Sequence, residues 1–326
     1  MPDNRLLKCE ADQFYFEPTV LTDLGDHLTY QSQADRFSAV SGKEPKIYPD
    51  GFATGTNPII AVSKSNDAID IPAQSYYLAG VKLAIGTTLD KVVSRPATDV
   101  ASISALTVDG SGSFVFIKGD DGTDLNFSAV RGAPGGPPFI PLGSIERSHI
   151  KLTSATSQPI RESEVVSILG VSIERFDKPL YSFSWGDGRV VFKYPLPAIH
   201  EGSKTKSITI QCYEPIFVEL DNAADFVPSE NSISVSSKEY YSSVVNNVKV
   251  SLSQGGFSLL LENGITDPIF ELKGEKIWLL FYNDKYKPEH IYDHGVLGIK
   301  TTFTPSENPT AQCSIASTIE AQRKAE

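Results

Sequence analysis

The chain has 326 residues, enough for one large domain or two ordinary ones, and 40% of them are hydrophobic. That fraction excludes an intrinsically disordered protein. Lys and Arg total 29 against 40 Asp and Glu, which gives a net charge of −11. This balance excludes a dedicated nucleic-acid reader, because gripping phosphates requires basic residues. The 17 Phe, 13 Tyr, 24 Gly and 21 Pro residues favour strands and turns.

We expect neither membrane association nor secretion. The amino-terminal residues lack the basic start and apolar run of a secretory signal. The best apolar run, Ile277–Tyr282, is far shorter than the roughly 20 residues that cross a bilayer. Cys9, Cys212 and Cys313 are odd in number and far apart, so we expect packed, reduced thiols rather than a disulfide framework.

The predicted elements are mostly short strands bounded by turns. Ser113–Lys118 and Asn126–Val130 are predicted to pair as a hairpin, and so are Ser182–Trp185 and Arg189–Lys193. Five further strands are predicted at Ser207–Cys212, Ile216–Leu220, Lys249–Leu252, Gly256–Leu261 and Lys276–Tyr282. Short helices are predicted at Thr98–Leu106, Arg161–Leu169 and Lys238–Val245. The chain is therefore expected to be mainly β.

Two segments are predicted to be loops or arms. Gly25–Ile59 is polar and is interrupted by several prolines and glycines, so we expect a long excursion outside the core. Gly132–Pro138 is too rich in proline and glycine for a central strand. It also lacks the lysine and the strand-to-helix context of a phosphate-binding loop, so we interpret it as a surface turn.

A weak internal repeat indicates a tandem duplication. Cys9 and Cys212 each precede a Phe by five residues, within an apolar run that ends in Glu. Further matched pairs follow in the same order in both halves. We therefore predict a first domain at residues 1–178, which includes the polar arm at about 25–59, and a second domain at residues 179–326.

Motifs for catalysis are absent from the sequence, which has no nucleophile elbow, zinc-protease motif or C-x-x-C pair. His290 and His294 lie four residues apart, and on a helix this spacing would place both imidazoles on one face, as zinc requires. Pro288 and Gly295 bracket this segment, however, and the sequence identifies no third or fourth ligand. We therefore expect no metal site.

Acidic residues offer weak candidates for other sites. Asp120–Asp124 resembles part of a calcium loop, but Arg131 stands where a bidentate acid is needed, so we interpret the segment as a solvated hairpin tip. Asp187 and Asp225 are one pair that could be nominated for acid–base chemistry, although the sequence gives no reason to prefer them. We expect no enzymatic activity, no catalytic residue and no cofactor.

Seven segments of the sequence carry a family resemblance: Gly132–Ile145, Ile150–Ser154, Ile173–Pro179, Tyr213–Glu219, Asp225–Asn231, Ser234–Ser237 and Gly298–Phe303. They resemble tail proteins of long-tailed, non-contractile bacteriophages, and the resemblance covers about residues 70–320. It implies a major tail tube protein, whose family stacks rings of β-sandwich domains around a channel that passes DNA. Some members carry two tube domains and form trimers that imitate six-fold symmetry, and the predicted duplication fits that group.

The resemblance also implies an architecture and partners. It implies two tandem β-sandwich tube domains, each with one or two short helices, whose inner sheets join into a β-barrel closed around the ring. Implied partners are further copies in homotrimeric rings and the tape-measure, tail terminator and distal tail proteins, while DNA passes through without specific binding. The protein would be located in the virion tail after assembly in the host bacterial cytoplasm. We expect the arm at about 25–59 to contact the next ring, because it is the largest insertion in the first copy relative to the second and is too polar to be core.

Two other classes of function stay open. A receptor- or carbohydrate-binding module of a tail tip or fibre would stack exposed aromatic rings on sugars, but Trp185 and Trp278 both lie in apolar runs that indicate core. The other class is a cell-wall-degrading enzyme carried on a virion. Tubes or rings in negative-stain micrographs would favour the structural subunit, whereas globules would favour the alternatives.

Overall fold

A computed structural model of the chain describes residues 4–53, 60–168, 181–240, 243–303 and 308–325. Across these residues the protein is mainly β, as expected, with several sheets and three short 3₁₀ turns. The ladders between the described strands are antiparallel, and many join residues that are far apart in the sequence. The predicted fold class, mainly β, is confirmed at this level.

The described strands are numbered here in chain order. The first five are β1 (Leu6–Val20), β2 (Thr22–Asp23), β3 (Thr29–Gln31), β4 (Lys46–Pro49) and β5 (Gly51–Phe52). The next nine are β6 (Ala61–Val62), β7 (Ala68–Ile71), β8 (Gln74–Leu78), β9 (Val81–Ile85), β10 (Thr88–Val92), β11 (Ser102–Val108), β12 (Phe114–Lys118), β13 (Ile145–Leu152) and β14 (Val165–Ser167).

The remaining strands lie in the part of the chain that begins at Tyr181. They are β15 (Tyr181–Ser184), β16 (Arg189–Phe192), β17 (Ala198–His200), β18 (Lys204–Thr205), β19 (Ile208–Glu219), β20 (Ala223–Val227), β21 (Asn231–Tyr240), β22 (Ser243–Leu252), β23 (Gly255–Leu260), β24 (Lys276–Tyr282), β25 (His290–Thr302), β26 (Thr310–Ser317) and β27 (Gln322–Lys324). The 3₁₀ turns span Glu162–Glu164, Gly264–Thr266 and Pro268–Leu272.

A nine-stranded sheet joins the beginning of the chain to its end. The strand order is β20-β23-β26-β25-β24-β1-β19-β4, and β27 also pairs with β25. β1 pairs with β19 from Lys8, opposite Glu219, to Val20, opposite Thr209. On its other side, the first residues of β1 pair with β24. The amino-terminal strand therefore lies between strands of the carboxyl-terminal half.

Residues 51–168 form a separate set of sheets with their own core. In the part of the chain that the structure describes, β5–β14 pair only with one another, in the orders β10-β7-β6, β5-β8-β9 and β12-β11-β13-β14. The core is built from buried aliphatic and aromatic residues, among them Ile69, Ile71, Tyr76, Leu106, Phe114 and Ile150. An isolated bridge between Ile140 and His200 joins this inserted unit to the rest of the protein.

The pairing of the described strands is nested rather than sequential. β1, β3 and β4 precede the inserted unit, yet they pair with β19, β24 and β16, which follow it. The division into domains 1–178 and 179–326 stays a prediction, and its boundary lies outside the described residues, as does Ile173–Pro179. The ladders themselves do not separate the chain into those two halves.

The expectation that Gly25–Ile59 lies outside the core is wrong for the described residues of this segment. Tyr30, Ala34 and Phe37 are 2% exposed or less and pack with β16 and β19. The N–H of Phe37 donates a hydrogen bond of 2.9 Å to the carbonyl oxygen of Trp185. A few apolar residues spaced among polar ones are enough to pack this segment onto the core, because only one side of the segment faces the core.

The three predicted helices are wrong. Thr98–Leu106 contains most of β11, which is buried at every position, so its apolar residues do not alternate and the pattern resembles that of a helix. Arg161–Leu169 contains one 3₁₀ turn followed by β14, and Leu169 lies outside the described residues. Lys238–Val245 covers the ends of β21 and β22, where β-branched residues favour a strand.

Most of the predicted strands are confirmed. The hairpin across Gly186–Gly188 is formed by β15 and β16, and Lys276–Tyr282 is β24. Lys249–Leu252 and Gly256–Leu261 fall in β22 and β23. The two runs predicted on either side of Pro215 form one continuous strand, β19. β4 covers only the first residues of β19, so the proline lies where that edge has no partner strand.

The predicted hairpin between Ser113–Lys118 and Asn126–Val130 is wrong. β12 pairs instead with the preceding strand β11, and Asn126–Val130 is not a strand. The carboxylate of Asp109 closes the turn by accepting hydrogen bonds of 2.9 and 3.0 Å from the N–H groups of Ser111 and Ser113. Gly112 completes this turn with a φ of +77°, a left-handed conformation that favours glycine.

We expect Phe37→Ala to lower the free energy of unfolding by about 3–5 kcal/mol, because it empties a fully buried aromatic site. Phe303→Ala is the matched control, since Phe303 is 61% exposed, and it should change the value by less than about 0.5 kcal/mol. Urea denaturation followed by tryptophan fluorescence measures both. If the Phe37→Ala variant were as stable as the wild type, Phe37 would not contribute to the core, and the segment would behave as the excursion that the sequence predicted.

Candidate functional site

The described residues contain no cluster typical of a metal centre. No group of three or more His, Cys, Asp or Glu side chains among them could hold a metal ion. Within the same residues, no helix has the length and apolar character that a transmembrane span requires. The strongest candidate for function is instead a surface, formed by the hairpin of β21 and β22.

This hairpin pairs with no other strand in the described ranges. An unbroken ladder of ten pairs runs from Asn231, opposite Leu252, to Tyr240, opposite Ser243. At a rise of about 3.4 Å per residue, the hairpin is about 30 Å long. Each of its outer edges presents backbone N–H and C=O groups for which the described residues provide no partner strand. Such edges are sites for pairing with another chain.

The two faces of the hairpin differ in polarity at its base. Ile233 lies opposite Val250, and their side chains are 69% and 59% exposed. One residue earlier along β21, Ser232 lies opposite Ser251, and their hydroxyl oxygens are 2.8 Å apart. Because neighbouring positions on a strand point to opposite faces, one face carries the apolar pair and the other carries the serines.

A buried carboxylate fixes the base of the hairpin to the nine-stranded sheet. Asp293 is fully buried, and its Oδ2 accepts a hydrogen bond of 2.8 Å from the N–H of Ser229, just before β21. Its Oδ1 accepts a bond of 3.0 Å from the hydroxyl of Ser317. The hydroxyl of Ser229 in turn accepts a bond of 2.9 Å from the N–H of Gly255, just after β22. The carboxylate therefore holds the chain where it enters and leaves the hairpin.

Glycine is required at position 255 by this arrangement. A Cβ atom there would lie 2.5 Å from Oδ2 of Asp293 and 2.8 Å from the hydroxyl of Ser229. Outside the buried network, Glu230 forms an ion pair with Arg323, and Asn231 Nδ2 donates a bond of 3.0 Å to Glu320. These outer contacts are exposed and add little to stability, so the buried carboxylate is the main anchor.

His290 and His294 lie on strand β25 rather than on a helix. Four residues along a strand separate them by about 13 Å, which is too far to share one metal ion. The ring of His294 lies 4.5 Å from that of Trp278 and 5.6 Å from that of Trp185. The ring of His290 lies 4.6 Å from that of Tyr292. Both histidines are packed into a buried aromatic cluster.

Burial shifts the pKa of His294, which is part of this cluster, and the pKa of Glu10, which is hydrogen-bonded to Trp278. Burial, together with the nearby charge of Lys276, lowers the pKa of His294 to about 4. The Nε2 atom of His294 has no hydrogen-bond partner among the described residues, so the ring is held as a neutral packing group. Burial also raises the pKa of Glu10, despite hydrogen bonds from the Ser38 hydroxyl and the Trp278 N–H.

Asp187 and Asp225 have separate local contacts. Asp187 accepts a hydrogen bond of 3.2 Å from Lys324, whereas Asp225 accepts one of 2.9 Å from Ser258. Partial burial acts to raise the pKa of Asp187, but hydrogen bonds from Lys324 and Ser184 outweigh it and lower the pKa. A general acid needs the opposite shift, so this geometry does not support acid catalysis by Asp187.

The acidic loop and the glycine-rich turn are each closed by their own contacts. Asp121 accepts a hydrogen bond from the N–H of Ala97, and Asp124 accepts one from the N–H of Asn126 within its own turn. Arg131 holds the Gly132–Pro138 turn by donating to the carbonyl oxygen of Pro138, and its guanidinium also donates to both carboxylate oxygens of Glu146 at 2.9 and 2.8 Å. Hydrogen bonds from His149 and this arginine lower the pKa of Glu146 although burial acts to raise it.

The three cysteines are buried and free, as the sequence predicted for packed thiols. Burial raises the pKa of Cys9 to about 11, that of Cys212 to about 11 and that of Cys313 to about 12. A thiol with such a pKa is almost fully protonated at neutral pH and is a poor nucleophile. None of the three is therefore a candidate catalytic residue.

Sequence reasoning missed the hairpin because it placed a helix across Lys238–Val245. A usable signal was present on the first strand, where Ser alternates with Ile and Val from Ser232 to Ser236. That period of two is typical of a half-covered strand. The predicted strand Lys249–Leu252 lies within its partner strand β22.

We expect Asp293→Asn to lower the free energy of unfolding by about 1–3 kcal/mol, because an amide cannot accept all the hydrogen bonds that the carboxylate accepts. Hydrogen exchange at the amides of Ser229 and Gly255 should also become faster. Asp225→Asn is the control, because that side chain is exposed, and it should leave both measurements near the wild-type values. Unchanged exchange in the Asp293 variant would contradict the anchoring role.

We expect His294 to make the protein less stable as the pH falls from about 6.5 to 4. In the unfolded state the His294 imidazole takes up a proton near pH 6.5, whereas in the folded state it stays neutral until the pH falls to about 4. The unfolded state therefore binds more protons in this window, and stability rises with pH by on the order of 3 kcal/mol in total.

His294→Phe should remove this component of the pH dependence in denaturation experiments between pH 4 and 7. The raised pKa of Glu10 acts in the opposite direction, because its contribution is lost as the pH rises through the folded pKa. Glu10→Gln measures that contribution separately. An identical pH slope for His294→Phe and the wild type would show that His294 is not held neutral.

Comparison with known proteins gives no relative from which a site could be transferred. No protein-family model, no curated protein and no solved structure matches the chain. The function is therefore argued from the geometry of the hairpin and from the resemblance seen in the sequence.

Proposed function

We propose that this chain is a structural subunit that assembles with copies of itself through the β21–β22 hairpin. The observation that carries the proposal is the hairpin itself. Its two outer edges have no partner strand among the described residues, its apolar pair is exposed, and Asp293 fixes its base. A two-stranded hairpin is marginally stable in water by itself, and free strand edges attract further strands. In an assembly of copies, both the edges and the apolar face become covered.

The assembly that fits the resemblance is the tail tube of a long-tailed, non-contractile bacteriophage. In this proposal three chains form a ring, and two β-sandwich units in each chain supply six positions around it. Inner sheets that continue from one chain to the next would close a barrel and leave no edge unpaired. The tape-measure, tail terminator and distal tail proteins would be further partners, and the virion tail the location after assembly in the host cytoplasm.

DNA would pass through this tube without binding to it. Each chain carries a net charge of −11, and stacked rings would repeat that charge along the channel. Within the Debye length of about 8 Å, a negative wall opposes the approach of phosphates. The acidic balance therefore supports a channel through which a genome slides.

The alternative, a receptor- or carbohydrate-binding module, has less support from the aromatic residues. Trp278 is fully buried, and its Nε1 donates a hydrogen bond of 2.9 Å to the carbonyl oxygen of Phe37. Trp185 is half-buried against Phe183 and His294. Neither indole offers the open face that a sugar ring needs for stacking.

We expect the double variant Ile233→Ser with Val250→Ser to stay folded but to fail to form tubes or rings. The apolar pair is exposed in the single chain, so the substitutions cost little folding energy and remove apolar contact only in the assembly. Negative-stain microscopy and sedimentation velocity measure assembly, and circular dichroism checks the fold. The matched control is Ser232→Ala with Ser251→Ala, which changes the opposite face at the same level.

Two results would contradict the proposal. One is a wild-type chain that stays monomeric at every concentration and salt tested. The other is normal tube formation by a chain in which residues 232–251 are replaced by a two-residue turn, because that deletion removes the whole hairpin.

A further inference from the structure

Asn263 and Gly264 form a chemically labile pair in the loop between β23 and β24. This is the one place in the sequence where Asn is followed directly by Gly. The main-chain nitrogen that follows an Asn can attack the side-chain carbonyl carbon, Cγ, and close a five-membered ring. A glycine at the second position presents no Cβ to hinder this approach. The sequence therefore places the most favourable pair for this reaction at residues 263 and 264.

Both reacting groups of the pair are accessible. Asn263 is exposed, and its side chain does not cap the 3₁₀ turn Gly264–Thr266 that follows it. A Cβ atom built at Gly264 would meet no heavy atom within 4 Å, so the space around this residue is open. The Gly264 N–H begins the turn, and no carbonyl group within the turn accepts a hydrogen bond from it.

The 3₁₀ turn holds the pair in a conformation that cannot react. The ψ of Asn263 is 10°, which turns the nitrogen of Gly264 away from Cβ of Asn263. Ring closure needs a rotation about the Cα–C bond of Asn263, which is one of the two soft dihedrals of each residue. This rotation would also move the carbonyl oxygen of Asn263, which accepts bonds of 3.2 Å from the N–H and 2.9 Å from the hydroxyl of Thr266. The turn must therefore open before the pair can react.

We propose that Asn263 and Gly264 are a self-modification site that the hydrogen bonds of Thr266 keep closed. In the open turn, the nitrogen of Gly264 loses its proton and forms a bond to Cγ of Asn263, while the bond from Cγ to Nδ2 breaks. Ammonia leaves with that proton. Water then opens the ring at either of its two carbonyl carbons, which gives aspartate or isoaspartate. The net reaction consumes water and releases ammonia, and it needs no oxidant or reductant.

The aspartate product adds a carboxylate to a cleft that is already acidic. Asn263 lies in the wall of a cleft of about 350 Å³, whose lining includes the acidic residues Glu219, Asp221, Glu262, Asp267 and Glu271. Among the described residues that line this cleft, none is Lys or Arg. Like charges that lie close together repel one another. Modification of Asn263 therefore increases the repulsion between the walls of the cleft.

The isoaspartate product changes the main chain itself. Its main chain runs through Cβ and Cγ of residue 263, so the loop becomes longer by one atom and the carbonyl group that Thr266 holds is displaced. The next 3₁₀ turn, Pro268–Leu272, places Ile269 in the core beside residues of β1 and β24. Ile269 is 3% exposed, so a shift of this turn disturbs packing. Formation of isoaspartate should therefore lower the stability of the fold.

Mass spectrometry of the folded full chain tests the site. After incubation at mildly alkaline pH, peptide mapping should show that a carboxylate replaces the amide of Asn263, as both aspartate and isoaspartate. Asn283 is the internal control, because it is also exposed but is followed by Asp284, and it should keep its amide over the same time. Asn263→Gln is the control variant. Its longer side chain would have to close a larger ring, so it should stay unmodified.

Two variants of Thr266 test whether the turn controls the reaction. Thr266→Val removes the hydroxyl bond to the carbonyl oxygen of Asn263 and keeps the N–H bond. Loss of the Asn263 amide should then be about two- to tenfold faster, which is the factor that one hydrogen bond supplies. Thr266→Ser keeps a hydroxyl group and should react at close to the wild-type rate. The full chain unfolded in urea has no turn, so it should react faster than the folded wild type.

The outcomes decide both parts of the inference. Modification of Asn263 but not of Asn283, together with a faster reaction in Thr266→Val, supports it. An amide that persists at residue 263 in both the folded wild type and Thr266→Val overturns the site. Equal rates in Thr266→Val, Thr266→Ser and the wild type, or equal rates in the folded and unfolded chains, overturn the control by the turn. None of these measurements depends on assembly, so the proposed function is tested separately.

Discussion

The ladder between β1 and β19 is the constraint on which the rest of the structure depends. It joins the first strand of the chain to a strand that begins at residue 208, and β24 and β4 add to its two sides. A shift of register between Glu10 and Asp12 changes which residues share a face. Glu10 is consequently buried beneath Trp278, whereas Phe14 is left exposed. The residues on the two sides of this irregularity thus include a buried carboxyl group and an exposed apolar side chain.

Buried polar groups in this protein have two different roles. Asp293 is fully hydrogen-bonded and connects the sheet to the loops that bound the hairpin, so its charge specifies where the hairpin leaves the body. His294, by contrast, lacks a partner for Nε2 among the described residues and packs as an aromatic ring. Asp293 thus positions the hairpin, whereas His294 makes the packing of the aromatic cluster sensitive to acid.

The sequence predicted elements whose signal is local and failed where the partner is distant. β24 and the β15–β16 hairpin were predictable, because an apolar run or two strands with a glycine turn is visible in a short window. The burial of Phe37 was not, since its neighbours come from β16 and β19, far along the chain. The hairpin face was partly visible in the alternation around Ile233, but the exposed position of Phe14 follows a register shift that no sequence pattern reveals.

The nested order of the strands has a consequence for synthesis on the ribosome. Both strands that pair with β1 begin after residue 207, so β1 stays without these partners while the intervening residues are made. The inserted unit, residues 51–168, has its own core and can fold during that interval. Pairing across such sequence distances is slow, and an unpaired apolar strand is prone to aggregate meanwhile. β1 is therefore a strand that a chaperone would have to protect during synthesis.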